Sequence, residues 1–376
     1  MMGKTAVVYS EAFFGAADGK TANGLVRHSE KYRILAVIDG TKTGRDAGDY
    51  LDAVPNGIPI CADLADAIAV AGRVPDYFII GVAPLSGLLS ARERGVVLDA
   101  MGRGMSIVNG LHEFLNDDLE FTAAAATYGV RMLDVRRPRA KKDLRMFTGA
   151  IDQVSCPRIA VLGTDGAIGK RTTAVILTHA LNERGIKAVM VSTGQTGLIQ
   201  GARYGVALDA IPCQFCSGEM EAAVVDAYEA EHPDVIIVEG QGALSHPAYL
   251  SSTFILRGAR PNAVILQHAP ARKMLGDFPL VPTPTAASEI ALLRAFAGTP
   301  VIGLTLNHED MTDAEVSAAI IVYELELGIP ATDALTRPAG RLVDMVLGAF
   351  PALEARLVSP PVPSLLPLAV RTAGRS

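Results

Sequence analysis

The run VLGTDGAIGKRTTAVIL, residues 161–177, has the ingredients of a phosphate grip. An apolar strand leads into a glycine-bearing loop, and a helix begins at the lysine. Glycines let backbone N–H groups turn inward, the helix N-terminus adds partial positive charge, and an ammonium group bridges phosphate oxygens. The spelling departs from the usual phosphate-loop pattern. Five residues separate Gly163 from Gly169, and Arg171 stands after Lys170 where a magnesium-binding hydroxyl is the rule. Thr172 follows one place later, about 100° further round the helix. The expected binding residues are therefore Gly163, Thr164, Asp165, Gly166, Gly169, Lys170, Arg171 and Thr172. They suit a ligand whose phosphates are a handle better than one whose γ-phosphate reacts through a metal.

Three further stretches carry chemistry. STGQTG, 192–197, follows an apolar strand and places Gly194, Gln195 and Thr196 at the sheet edge where open α/β sheets bind ligands; a plain turn is the alternative. VIIVEGQGALSHP, 235–247, ends a buried strand in Glu239, with Gln241 and His246 in the loop beyond. A carboxylate there can bind a metal, orient the lysine or take a proton. LQHAPARKM, 266–274, puts His268 at another strand end and Arg272 four residues on. Histidine is the natural proton acceptor near neutral pH, and arginine suits a carboxylate or phosphate through its fork; a structural histidine is the alternative.

Other signals are weaker. GAADGKT, 15–21, mimics a phosphate loop but reads as a loop entering a helix. Asp39 ends the second strand, where a dinucleotide fold puts its ribose-binding acid, yet no glycine fingerprint precedes it. Cys213 and Cys216 have redox spacing without a second pair and read as small thiols. His28, His112, His179, His232 and His308 show no ligand spacing, and no metal site is expected.

Positioning these residues requires alternating strands and helices. TAVVYS (5–10), RILAVID (33–39), YFIIGV (77–82) and MSIVNG (105–110) are near-continuous apolar runs, as buried parallel strands require. Helical patterns, such as ADLADAIAVAG and the stretch 86–103, lie between them. RRPRAKKDLR, 136–145, then holds six basic residues and reads as a linker, or as an interface with acidic partners on the next domain. The alternation restarts with RIAVLG (158–163), a helix over 170–184, AVMVST (188–193), a helix over 218–231 and DVIIVEG (234–240). AVILQHA (263–269), a helix around 286–296, VIGLTLN (301–307) and helical stretches 312–327 and 340–350 follow. The expected domains are 1–148 and 149–352, with an irregular proline-studded tail over 353–376.

Composition limits the partners. Apolar residues make up 49% of 376, enough for two full cores, while aromatics are 5% and tryptophan is absent. That suits α/β layers. A net charge of −6 and no lysine-rich block argue against nucleic acid. Four scattered cysteines, no signal-peptide pattern and no apolar run near the roughly 18 residues of a membrane span point to a soluble, cytoplasmic chain.

Taken together, these loops resemble the D-glutamate N-acetyltransferase family, long catalogued as a domain of unknown function. The resemblance covers roughly residues 5–350. It rests on GLVRHS (24–29), GVAP (81–84), NGLHEFL (109–115) and LDVRRP (133–138), then on GTDGAIGKRTTA, STGQTG, VEGQGALSHPAY and the His268/Arg272 segment. It implies an α/β protein with a Rossmann-like N-terminal domain and a P-loop NTPase-like C-terminal domain. The second also resembles dethiobiotin synthetase, whose loop begins Gly-Thr-Asp and whose strand motif runs Glu-Gly. The implied reaction is acetyl transfer from acetyl-CoA to the amino group of an acidic amino acid, D-glutamate by default. Glu239, His268 and Gln241 are then the catalytic candidates. Gly194, Gln195, Thr196, His246, Arg257 and Arg272 are the substrate-binding ones. Besides a small-molecule substrate, further copies of the same chain are the expected partners. The competing reading is an ATP- and magnesium-dependent ligase or kinase of the dethiobiotin-synthetase type, using Asp165, Thr172 and Glu239. A nucleotide-binding regulatory protein without catalysis is a third.

Overall fold

The computed structural model describes residues 3–84 and 86–357. The N-terminal layer runs β1 (Lys4–Tyr9), α1 (Lys20–Arg27), β2 (Tyr32–Ile38), α2 (Ala47–Asp52), β3 (Ile60–Cys61) and α3 (Leu64–Ala71). It continues with β4 (Tyr77–Ile80), α4 (Ala91–Gly102), β5 (Ser106–Asn109), α5 (Leu119–Tyr128) and β6 (Met132–Asp134). All six strands pair parallel in the order β3-β2-β1-β4-β5-β6, the Rossmann arrangement.

The second layer begins with β7 (Arg158–Gly163), α6 (Lys170–Glu183), β8 (Ala188–Ser192), α7 (Gln195–Gln200), β9 (Tyr204–Gly205), α8 (Cys213–Glu231) and β10 (Val235–Glu239). It ends with α9 (Ser251–Gly258), β11 (Ala263–His268), β12 (Met274–Leu275), β13 (Phe278–Pro282), α10 (Ala286–Ala297), β14 (Val301–Leu306), α11 (Asp313–Leu327), β15 (Ala331–Thr332) and α12 (Gly340–Ala349). Seven strands form a parallel sheet ordered β15-β14-β11-β7-β10-β8-β9, and β12-β13 is a separate hairpin. Every residue of β7, β10 and β11 is buried, which explains their unbroken apolar spelling. The four stretches singled out from sequence therefore issue from four adjacent strands, β11-β7-β10-β8, at their carboxyl ends.

Differences from the sequence reading are local. The residues 195–200 form a helix, not a glycine loop. α8 starts at Cys213, directly after Pro212, rather than at Gly218. The expected irregular tail, 353–376, starts inside a short 3-10 turn over Pro351–Arg356, and 358–376 lie outside the described residues. Among the described residues no helix is long and apolar enough to cross a membrane.

The two layers are pinned together. Arg136 donates to Asp209 Oδ2 at 2.8 Å and to the Gly110 carbonyl. Arg145 pairs with Glu219 and Asp226, so the basic run meets acidic partners on the neighbouring domain. Buried Glu221 accepts from the Thr148 N–H at 2.7 Å and the Ile151 N–H at 3.2 Å, holding the connecting chain flat on α8. Gly218 makes that approach possible: a Cβ there would lie 2.3 Å from the Arg145 carbonyl oxygen. Ile199 of α7 inserts into the N-terminal core beside Leu25, Val26 and Val108.

These contacts predict opposite signs for two helical glycines. Gly218→Ala should destabilise by about 1–3 kcal/mol through backbone displacement. Gly95→Ala on α4, where a Cβ meets nothing within 4 Å, should stabilise by about 0.5–1 kcal/mol. Chemical denaturation of the two variants checks both.

Candidate active site

At the centre lies the loop between β7 and α6. Ala167 at φ 50° and Gly169 at φ 98° turn the chain so that α6 starts at Lys170. Gly163 leaves room for the lysine stem, since a Cβ there would fall 2.9 Å from Lys170 Cδ. Lys170 is buried, and its ammonium donates to the loop's own Asp165 carbonyl. Burial pushes its pKa down to about 8. Among the described residues no carboxylate lies within ion-pair distance of it, whereas the neighbouring arginines are paired. Above it Gly166 faces open space. A buried cation beside a glycine turn at a helix N-terminus is electrostatically set for an anion.

Asp165 organises the loop. Its Oδ1 accepts from the Gly166 N–H at 2.6 Å, and its Oδ2 from Arg272 Nη1 at 2.8 Å and the Gly276 N–H at 2.9 Å. Arg272 also donates from Nη1 to the Gly166 carbonyl and forks onto Glu309 at 2.7 and 2.8 Å. Its planar donors are thus committed to the protein, and Arg272 staples the loop to the segment after β14. The sequence reading gave it to a substrate carboxylate. The ion pairs it makes were not visible from spacing, because Glu309 lies far along the chain.

Glu239, at the end of β10, accepts from the Ser192 hydroxyl and from the Thr193 N–H at 3.3 Å; Arg171 Nε stands 3.8 Å from it. Arg171 therefore turns away from the phosphate loop. Its Nε and Nη1 are buried without hydrogen-bond partners among the described residues. Gln241 donates to the Thr193 carbonyl at 2.7 Å and braces β8 against β10. Gly197 must be a glycine, because a Cβ would collide with Ser192 Oγ at 1.7 Å and approach Glu239 Oε2 at 2.8 Å. Thr196 meets Thr21 of the N-terminal domain, hydroxyl to hydroxyl, at 2.9 Å. Gly194 sits against Gln241, and Gln195 is buried near Gly110. Residues 194–196 thus line the seam between the domains.

The two histidines differ sharply. His268 bonds to the Thr164 hydroxyl through Nδ1 at 2.9 Å and to the Tyr323 hydroxyl through Nε2 at 3.0 Å. Burial lowers its pKa to about 4, so the ring is neutral and both nitrogens are occupied. That arrangement is a structural brace, and it leaves no free lone pair for the proton-accepting role read from sequence. His246 accepts at Nδ1 from the N–H groups of Ala248 and Tyr249, at 3.2 and 3.1 Å. Its proton consequently sits on Nε2, which is buried, unpartnered among the described residues and 4.0 Å from Asp165 Oδ1. Burial lowers its pKa too. Tyr249 stacks on the ring with centroids 4.3 Å apart and donates to Asp277 at 2.6 Å. His246 is therefore a fixed hydrogen-bond donor facing the loop.

Other expected residues fall elsewhere. Arg257 is exposed on α9 over the Phe296 ring, not beside the loop, because the outer face of α9 points away from the sheet edge. Thr172 is half-buried on the first turn of α6; the hydroxyl that reaches inward is Thr173, donating to Gln267 Oε1 at 2.6 Å. Cys216 is a buried thiol pushed up to about 12 by desolvation, while Cys213 is exposed. Asp39 is consumed by the Phe14 N–H, Thr41 and Lys42. Buried Glu289, which accepts from the Leu244 N–H and the Ser245 hydroxyl at 2.5 and 2.6 Å, fixes the loop leading to His246. It carries no motif that could have announced it.

Fold and loop together define a two-domain α/β protein in which a P-loop layer follows a Rossmann-like layer. The chain belongs to the DUF1611 family: its P-loop domain of unknown function matches residues 145–343, and its Rossmann-like N-terminal domain matches residues 40–138. Two curated relatives are both named D-glutamate N-acetyltransferase. That of Tritonibacter scottomollicae is 34% identical over 71% of this chain and 79% of its own. That of a Pseudoalteromonas species is 31% identical over 69% and 77%. The crystal structure of a DUF1611 family protein from Anabaena variabilis is similar with TM-score 0.84 and 31% identity, covering 92% of this chain and 99% of that one.

The His268 geometry predicts a pH effect on stability. A histidine lowered from its usual range to about 4 makes the unfolded chain bind the extra proton first. Stability should therefore fall as pH drops below about 6.5, until about 4. Denaturation midpoints across that window should show the slope, and His268→Gln should flatten it.

Proposed function

We propose that the protein transfers an acetyl group from acetyl-CoA to the amino group of D-glutamate. The observation that carries this reading is the buried Lys170 ammonium, which among the described residues has no carboxylate within ion-pair distance and sits in a glycine turn at a helix N-terminus. The names of the two curated relatives supply the reaction. CoA brings a pyrophosphate and a ribose phosphate, anions that such a turn holds without help from a metal.

In this reading Lys170, the loop N–H groups and α6 bind the CoA phosphates. Glu239 removes a proton from the substrate ammonium, and the freed amine attacks the thioester carbonyl carbon. Charge developing on that carbonyl oxygen takes the Nε2–H of His246, a donor held ready by the two N–H groups at Nδ1. The tetrahedral intermediate collapses with cleavage of the carbon–sulfur bond; its nitrogen gives up its second proton as the amide forms, and that proton goes to the departing CoA thiolate. Ser192, Thr193 and Arg171 hold Glu239 in place, while Asp165 and Arg272 fix the loop. Thr21 and Thr196 mark the seam where the amino acid enters. The ATP-dependent alternative is favoured less, because Arg171 replaces the magnesium-binding hydroxyl and both Asp165 oxygens are already engaged.

An assay that follows release of the CoA thiol tests the reading. Acetyl-CoA and D-glutamate, without ATP or magnesium, should give turnover. Hydrolysis of ATP in place of thiol release would reject it. Glu239→Gln should lower kcat by about 10²-fold or more while changing the dissociation constant for CoA little. Lys170 adds a pH signature. Its charge is present below about 8 and lost above, so CoA affinity should fall by up to about tenfold per pH unit as pH rises past about 8. Calorimetric titrations at several pH values should find weak, pH-insensitive binding in Lys170→Met.

A further inference from the structure

Behind the phosphate loop, on the outer face of α6, lies a groove of about 290 Å³ between the two domains. Three side chains with metal-binding atoms converge there. His28 Nε2 is 3.3 Å and His179 Nε2 is 3.6 Å from the same oxygen, Glu30 Oε1. The three donor atoms all lie within 4.8 Å of one another, and the two rings meet edge to face with centroids 4.6 Å apart. For a tetrahedral ion with bonds of about 2.1 Å, ligand atoms stand roughly 3.4 Å apart. The separations from Glu30 to the two imidazoles already match that edge.

We propose that His28, Glu30 and His179 bind one divalent cation of the zinc type, bridging the N-terminal domain and the P-loop helix. The Glu30 and His179 side chains are exposed, but the backbone that brings them together is fixed. His28 caps the end of α1, and Gln200 of the second domain donates to the carbonyls of Gly24 and His28. In return the Glu30 and Lys31 N–H groups donate to the Gln200 carbonyl, at 2.9 and 3.2 Å. The turn that carries two of the ligands is thereby fastened to the domain that carries the third. Nearby cations do not compete for Glu30: Lys187 and Arg203 are both paired with Glu231, and Arg171 leans toward Glu239. Three protein ligands leave a fourth position for water or a small anion, the pattern of an open rather than a closed zinc site. The inference is independent of the acetyl-transfer reading, since none of its residues touches the phosphate loop.

Cobalt(II) is the probe, because a four- or five-coordinate protein site gives it strong visible bands. The full chain, stripped with chelator, is titrated with cobalt(II) in absorption and with zinc(II) in a calorimeter. One ion per chain is expected, together with a higher unfolding temperature. His28→Ala, His179→Ala and Glu30→Gln should each weaken binding by about tenfold or more. Cys213→Ser, which removes an exposed thiol, should leave it unchanged. The metal-free unfolding temperature of each variant reports whether the fold is intact, and Glu30→Gln keeps the side chain's shape. Absence of the bands, or their persistence in the His28→Ala/His179→Ala double variant, overturns the proposal and leaves the trio as a hydrogen-bonded cluster.

Discussion

The structure is arranged around one uncompensated charge. Lys170 is buried, and taking an ammonium out of water is costly unless something repays it. Its partner in the structure is a carbonyl of its own loop, which satisfies a hydrogen bond but not a charge. The depressed pKa is the signature of that imbalance. Asp165 and Glu239 offset the desolvation only in part, because each is engaged elsewhere: Asp165 by Arg272 and two backbone N–H groups, Glu239 by Ser192 and Arg171. An anionic ligand would supply the missing counter-charge, and the function proposed above assigns that part to the CoA phosphates.

The helix α7 couples this loop to the rest of the molecule. Its glycine packs against the carboxylate of Glu239 on one side. Its threonine meets Thr21, its isoleucine enters the N-terminal core, and its last glutamine grips the turn after α1. A six-residue helix has little stability of its own, so these contacts are what hold it. It shares the task of joining the domains with the Arg136–Asp209 and Arg145–Glu219 pairs. The His28, Glu30 and His179 cluster lies along the same seam, next to the Gln200 end of α7.

Much of this was legible from sequence, for physical reasons. Strands buried on both faces must be apolar throughout, so β1, β2, β7, β10 and β11 stood out as runs. A lysine after a glycine turn at the end of such a run marks the strand–loop–helix junction that the structure has at Lys170. What stayed hidden depends on distance in the chain or on tertiary support. STGQTG reads as a ligand-binding loop or a plain turn, yet residues 195–197 open a helix, and Gly194 and Gly197 are demanded by close approach to Gln241 and Ser192. Arg272 looked free until Glu309 and Asp165 claimed its fork. His268 looked like a base until two hydroxyls took both its nitrogens. His28 and His179 belong to different domains, so no spacing could pair them. Arg257 had the right chemistry on the wrong helix face.

The central claim is that bare main chain and the Lys170 ammonium hold the phosphates of a carrier molecule. Calorimetry of the intact protein with CoA, and separately with pantetheine, which lacks the adenosine phosphates, tests it most directly. The account predicts that CoA binds and that pantetheine binds far more weakly, with the difference vanishing in Lys170→Met. Equal affinity for the two compounds, or unchanged CoA binding without the lysine, would contradict it.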